Sequence, residues 1–240
     1  MGARHVAKEP GLALKLRGAR EAFGYPPVSK AGPNGLLAVG ADLRPERLLV
    51  AYANGIFPWP SSDEEPIPWC CPSPRAVLVP GRVRVNRSLR KAVRRTTFTT
   101  TFDQDFAGVI TACALVPRQD DGTWITPSIV RAYIRLHELG FAHSAETWDG
   151  TRLVGGVYGV ALGAAFFGES MFSFESDASK IALLGLLGRL DARGYSLLDC
   201  QMTTPLVMSM GAVEWSREHF QAQLEKALES GTERGSWSDR

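Results

Sequence analysis

The 240-residue chain has no run long and apolar enough to cross a bilayer. Its longest uncharged stretch, Leu153 to Gly168, is 16 residues with five glycines, short of the roughly 20 that a spanning helix needs. Lys8, Lys15 and Arg17 interrupt the N-terminal region, so it lacks the apolar core of a secretory signal. Met1-Gly2 is not followed by a Ser or Thr at position 6, which excludes the usual myristoylation signal. A cytoplasmic location is expected. Cysteine is sparse: Cys70, Cys71, Cys113 and Cys200 have neither a disulfide framework nor the CxxC spacing of a zinc site, and read as free thiols. His5, His137, His143 and His219 show no metal or triad spacing. Gly168-Glu169-Ser170 lacks the second glycine of a nucleophile elbow, which argues against a serine hydrolase. No internal repeat is visible.

What is present is ordinary in amount and uneven in place. A hydrophobic content of 45% with 22% charged residues fits a globular protein that buries a sizeable core. The net charge is only +2, yet Arg82, Arg84, Arg87, Arg90, Lys91, Arg94 and Arg95 put seven cations into fourteen residues with no acid among them. Two readings stand for this run, a solvated helix face and a contact for nucleic-acid phosphates.

Residues 1–24 are mixed and basic without a clear period, and are expected to form a loosely held extension. From 25 to 73 the chain is rich in Pro, Gly and Trp, with one helix from near Pro45 to Asn54 and Gly55 just past its end. The four prolines between Pro66 and Pro74 read as a linker or strap. From residue 74 to about 230 the elements alternate between strand and helix. Strands are expected at 76–79, 98–102, 142–148, 153–162 and 165–172, and helices at 87–95, 105–114, 128–139, 178–193 and 217–228. Thr126-Pro127 supplies a cap and first-turn proline, and Asp149-Gly150 supplies a hairpin turn. Residues 231–240 read as a disordered tail.

Tyr195 to Met202 forms a strand with polar residues inside it. Alternation places Asp199 and Gln201 on one face, roughly 7 Å apart, with Leu198, Cys200 and Met202 on the other. Such a pair can satisfy backbone at a strand end or line a cavity; the apolar helix next to it makes the strand central and favours the cavity. Glu169 stands in the apolar run from Ala165 to Phe172, beside Gly168, where backbone or ligand can approach closely. Two acids among hydrophobic strands fit a site that handles an amine. Trp59, between two prolines, and Trp124, just before a helix start, look like loop residues with a face free to stack on a base.

Taken together, these blocks resemble the leucyl/phenylalanyl-tRNA–protein transferases. The resemblance rests on Asn34-Gly35-Leu36-Leu37-Ala38-Val39-Gly40, Gly55-Ile56-Phe57-Pro58-Trp59, Gly122-Thr123-Trp124-Ile125-Thr126, Leu136-His137-Glu138-Leu139-Gly140, Gly168-Glu169-Ser170-Met171-Phe172-Ser173, Ala178-Ser179-Lys180 and Asp199-Cys200-Gln201. It implies a mixed α/β (α+β) fold: a small N-terminal α/β domain packed on a C-terminal domain with a mixed sheet, similar to GNAT acyltransferases. It also implies transfer of Leu or Phe, and less well Met, from aminoacyl-tRNA to proteins with N-terminal Arg or Lys, which marks them for N-end rule degradation. By the same resemblance Trp59 and Trp124 hold the terminal adenine. Phe166, Met171, Leu183, Leu186 and Leu198 line the side-chain pocket with Tyr52 nearby, and a monomer is the expected state. After Gln201 the chain departs from the family's usual Asn-x-His-like stretch, carrying Thr204-Pro205-Leu206-Val207-Met208-Ser209-Met210 instead.

The implied reaction is aminolysis of an ester, with Asp199 holding or deprotonating the acceptor amine and Gln201 orienting it; a neutral amide is a very weak base. No metal, nucleotide or CoA is required. Two rivals stay open. A CoA-dependent N-acetyltransferase of GNAT type would need a pyrophosphate-cradling loop, but Phe174-Glu175-Ser176-Asp177-Ala178 has two acids and no glycine. A non-catalytic RNA-binding module would use the basic run and the tryptophans, against which Asp199 and Glu169 would repel phosphate.

Overall fold

The computed structural model describes residues 7–116 and 123–238. It begins with a strand, β1 (Ala7–Glu9), and a helix, α1 (Leu12–Gly18). Arg17 donates from Nη1 to the Ala53 carbonyl at 2.9 Å and from Nη2 to Gln221 Oε1 at 3.0 Å, and Ala13 is fully buried. The segment expected to be loosely held is therefore docked, by an arginine whose partners lie far along the chain.

A small antiparallel sheet follows, built from β2 (Leu36–Val39), β3 (Phe57–Pro58) and β4 (Pro68–Cys70) in the order β2-β4-β3, with helix α2 (Pro45–Ala53) between its first two strands. Residues 66–74 were expected to be a strap, yet β4 is the middle strand of this sheet. Pro68 opens it, where a missing N–H is tolerated, and Trp69 is buried with its Nε1 donating to the Gly40 carbonyl at 2.8 Å. In α2, Pro45 occupies the first turn and every residue from Leu48 to Ala53 is buried.

The rest of the chain runs β5 (Arg75–Leu78), α3 (Arg87–Arg95), β6 (Thr99–Phe102), α4 (Phe106–Leu115), α5 (Pro127–Glu138), β7 (Ala142–Asp149), β8 (Arg152–Leu162), β9 (Ala165–Ser173), α6 (Ala178–Ala192), β10 (Leu197–Gln201), α7 (Pro205–Ser209), β11 (Val213–Trp215), α8 (Arg217–Leu228) and β12 (Thr232–Arg234). Seven of its strands form one mixed sheet in the order β11-β5-β10-β9-β8-β7-β6, antiparallel except for the β9/β10 pair. Side-chain caps start several helices, the expected one at Thr126 among them. Asn86 accepts from Leu89 N, Asp105 from Gly108 N and Thr126 from Ile129 N, each satisfying a donor that the first helical turn leaves free.

Strand alternation sorts the core into two layers. Phe167 and Leu197 face α2, α4, α5 and α8, among Tyr52, Phe106, Ile129, Tyr133 and Phe220. Phe166 and Leu198 face α6, among Leu183, Leu186, Leu187 and Leu190. The tail belongs to this second layer: β12 pairs antiparallel with β1, and Trp237 is 1% exposed, stacked on His143 at 3.9 Å between centroids. Expecting disorder over 231–240 was wrong for its described part, because one aromatic residue supplies the apolar anchor that the polar composition hides. Among the described residues no helix is long and apolar enough to cross a membrane.

Candidate active site

The parallel pairing of β9 with β10 covers only Ala165–Phe167 against Leu197–Asp199. Both strands are irregular just beyond that point. On β9 the register with β8 shifts where Gly159 meets Gly168, leaving Glu169 as the bulged residue. Glycine at 159 permits this, since a Cβ there would lie 2.1 Å from the Phe167 carbonyl oxygen. On β10 the register with β5 shifts between Asp199 and Gln201, and Gln201 takes a left-handed backbone with φ 62°. Two cavities open where the strands stop pairing.

The first cavity, about 430 Å³, is lined on its apolar side by Val157, Met171, Leu183, Leu198, Leu206 and Val207. The second, about 250 Å³, is lined by Phe57, Pro58, Trp59, Trp124, Gln201 and Met202. Glu169, Cys200 and Thr204 belong to the walls of both. Larger clefts beside Arg131 and Arg234 contain none of these groups.

Glu169 is a strongly perturbed acid at the junction. Gln201 Nε2 donates to its Oε1 at 2.8 Å and the Tyr133 hydroxyl donates to its Oε2 at 3.2 Å. The Tyr52 hydroxyl in turn bonds the Tyr133 hydroxyl. Burial pushes the Glu169 carboxyl up to about 7, the nearby Asp199 charge adds to the rise, and the tyrosine and glutamine hydrogen bonds only partly oppose it. Burial also raises both tyrosine hydroxyls well above their ordinary range, so they stay neutral donors. Cys200 is pushed up by burial as well and lines the cavities as a thiol, not a thiolate nucleophile.

An apolar pocket joined to an aromatic slot, with a titratable carboxyl between them, suits an acyl group and a flat base carried on one donor. The profile of the family "Leucyl/phenylalanyl-tRNA protein transferase" matches residues 77–225, and that of its N-terminal domain matches residues 41–73. The leucyl/phenylalanyl-tRNA–protein transferase of Azoarcus sp. (strain BH72) is 55% identical over 216 residues, covering 89% of this chain and 92% of that protein. The protein of the same name from Myxococcus xanthus (strain DK1622) is 49% identical over 216 residues, covering 90% and 92%. The chain belongs to the leucyl/phenylalanyl-tRNA–protein transferase family. Among solved structures, L-PGS from Bacillus licheniformis overlays 80% of this chain and 64% of that one with 9% identity and a TM-score of 0.39, too distant a likeness to carry an argument.

Against this family background, some of the expected site residues come together and others do not. Trp59 (41% exposed), Trp124, Glu169 and Gln201 come together around the smaller cavity, and Met171, Leu183 and Leu198 line the larger one. Phe166 and Leu186 do not line it: both are fully buried in the layer behind, Phe166 against Trp237. Tyr52 is buried too and reaches the junction only through Tyr133 and Glu169. Gly122 of the Trp124 block lies outside the described residues. The cations Arg82, Arg84, Arg87, Arg90, Lys91, Arg94 and Arg95 are all exposed, and among the described residues none makes a salt bridge. Their segment abuts the larger cavity's wall, since Arg84 N donates to the Met210 carbonyl at 2.8 Å just past α7.

Asp199 departs most from expectation. Its side chain is fully buried and lines neither cavity. Oδ1 accepts from Arg75 Nε at 2.9 Å and from Gln201 N at 2.8 Å, and Oδ2 accepts from Arg75 Nη2 at 2.8 Å. A carboxylate held on both oxygens by a guanidinium is poorly placed to take a proton from a substrate. Met202 was expected on the opposite face from Gln201, but the left-handed backbone at Gln201 breaks the alternation and both line the aromatic slot. Arg75, Tyr133 and Thr204 were not singled out in the sequence. Arg75 had one available signal, a charge opening the apolar strand Ala76-Val77-Leu78.

Proposed function

We propose that the chain transfers Leu or Phe, and less well Met, from aminoacyl-tRNA to the α-amine of proteins beginning with Arg or Lys, marking them for N-end rule degradation. The observation that carries this is the meeting of an apolar pocket and a two-tryptophan slot at Glu169. The donor's side chain fills the pocket beside Met171, Leu183 and Leu198, its terminal adenine stacks between Trp59 and Trp124, and the ester carbonyl lies at the junction. The exposed cations of α3 hold the tRNA backbone through phosphates. Charged tRNA belongs to the cytoplasm, and so does the reaction.

The acceptor nitrogen attacks the ester carbonyl and forms the C–N bond; the bond to the tRNA ribose oxygen breaks. The nitrogen sheds one proton and the departing oxygen gains one. Glu169, with a pKa of about 7, is nearly matched to an α-amine of about 7.7–8.0, so it takes the proton and returns it to the leaving hydroxyl. Gln201 and Tyr133 fix the carboxyl by hydrogen bonds. The ester is already activated, and holding both substrates in line contributes at most about 7–11 kcal/mol.

The test is an incubation of radiolabelled Phe-tRNA with a protein bearing N-terminal Arg, beside acetyl-CoA with the same protein. Label in the protein from Phe-tRNA alone supports the reading. Acetylation without Phe transfer points to the acetyltransferase, and tRNA binding without either product points to a binding module.

A further inference from the structure

We infer that Arg75, 1% exposed and lining neither cavity, is a positioning residue that sets Gln201 and Tyr52 around Glu169. It holds two elements at once. One arm is the bidentate contact to Asp199, whose Oδ1 also accepts the backbone N–H of Gln201 at 2.8 Å. That N–H belongs to a residue in the left-handed region, a conformation unfavourable for a side-chain-bearing residue unless something fixes it. Gln201 then directs Nε2 to Glu169 Oε1 at 2.8 Å.

The other arm runs from Arg75 Nη2 to the Gly55 carbonyl at 3.0 Å. Gly55 closes α2 three residues after Tyr52, and its N–H donates to the Tyr52 carbonyl. Through Tyr133, the Tyr52 hydroxyl reaches the other oxygen of Glu169. The guanidinium lies over Phe57 at 5.0 Å and Phe220 at 4.6 Å, which leaves it little room to shift. Both hydrogen-bond chains that end on the Glu169 carboxyl therefore start from one planar fork. A lysine would keep the charge and lose the fork.

The inference rests on the transfer reaction proposed above, so the experiment first requires Phe transfer by the wild-type chain from Phe-tRNA; failure there overturns that reading and not this one. Removing one partner leaves a buried unpaired charge, whereas removing both with apolar residues often restores stability. The informative variant is R75M/D199L, followed by thermal midpoint, kcat, KM and the pH dependence of kcat. The expected result is a folded protein with a near-native midpoint. Its kcat is lower by on the order of 10²-fold, as misplacement near a reacting centre produces, with little change in KM for the donor. The limb of the pH profile assigned to Glu169 should move, because Gln201 no longer fixes that carboxyl. A double variant as active as wild type, with the same pH profile, overturns the inference and makes the pair a fold-holding one. Should that variant not fold, Arg75→Lys decides: reduced kcat in a folded protein supports the inference, and wild-type kcat overturns it.

Discussion

Glu169→Gln should stabilise the protein while crippling transfer, and the stabilisation should depend on pH in a defined direction. The carboxyl titrates near 4.5 in an unfolded chain and near 7 in the folded one, chiefly because of burial. The folded state therefore binds the extra proton between those values. Below 4.5 the burial costs nothing electrostatic; the cost grows as pH rises through the window and is complete above 7. A shift of that size corresponds to about 3 kcal/mol, an upper bound because the side chain keeps an edge open to both cavities. Glutamine has almost the same shape and never ionises. Urea unfolding of both proteins from about pH 4 to about pH 8.5 should give curves that coincide at the acid end and separate toward the alkaline end, the variant being more stable. Curves that stay parallel across the range would refute the pKa argument. So would a variant that is less stable at alkaline pH than at acid pH relative to wild type.

Neutralising Arg87, Arg90, Lys91 and Arg94 together should weaken binding of all tRNAs alike and make the slope of log affinity against log salt shallower by about 3–4, with transfer from Phe-adenosine preserved. Equal loss with both donors would make the cluster structural. Because the larger cavity offers shape and few hydrogen bonds, Leu, Met and Phe should all be accepted at rates differing by the worth of a methylene or two, about 1–3 kcal/mol, while Asp- or Lys-charged donors should be poor; efficient Lys transfer in a donor competition assay would contradict the apolar lining. Trp237→Ala should lower the unfolding free energy by about 3–5 kcal/mol in urea titration, since it removes a large buried ring from the second core layer; an effect under about 1 kcal/mol would mean the tail is not anchored there.

Where the sequence was legible, the governing physics was local. The helix at 127–138 has its cap and first-turn proline side by side in the sequence, and the Asp149-Gly150 turn joins β7 to β8. Glu169 and Gln201 stood out because polar residues are costly in apolar strands, and they do meet. What stayed hidden depends on distance along the chain or on irregular backbone. Arg75 meets Asp199 across 124 residues, so the acid read beside Gln201 lies in a buried ion pair that also accepts the Gln201 backbone N–H. The register shift on β10 and the left-handed backbone at Gln201 change the facing of Met202, which strict alternation cannot anticipate. Pro68-Trp69-Cys70 looks like a strap because proline is a poor strand former, yet at the first position of a short strand it costs nothing. Trp237 shows how one aromatic residue can dock a tail whose composition reads as disordered.

The central claim is that one donor spans the apolar pocket and the tryptophan slot, with its ester at Glu169. Steady-state kinetics of W59A/W124A with Phe-adenosine and an N-terminal-Arg protein tests it most directly. The account predicts that KM for the donor rises by on the order of 10- to 100-fold, the worth of about 1–3 kcal/mol of base stacking, while KM for the acceptor stays as in wild type. An unchanged donor KM, or a rise confined to the acceptor, would contradict it.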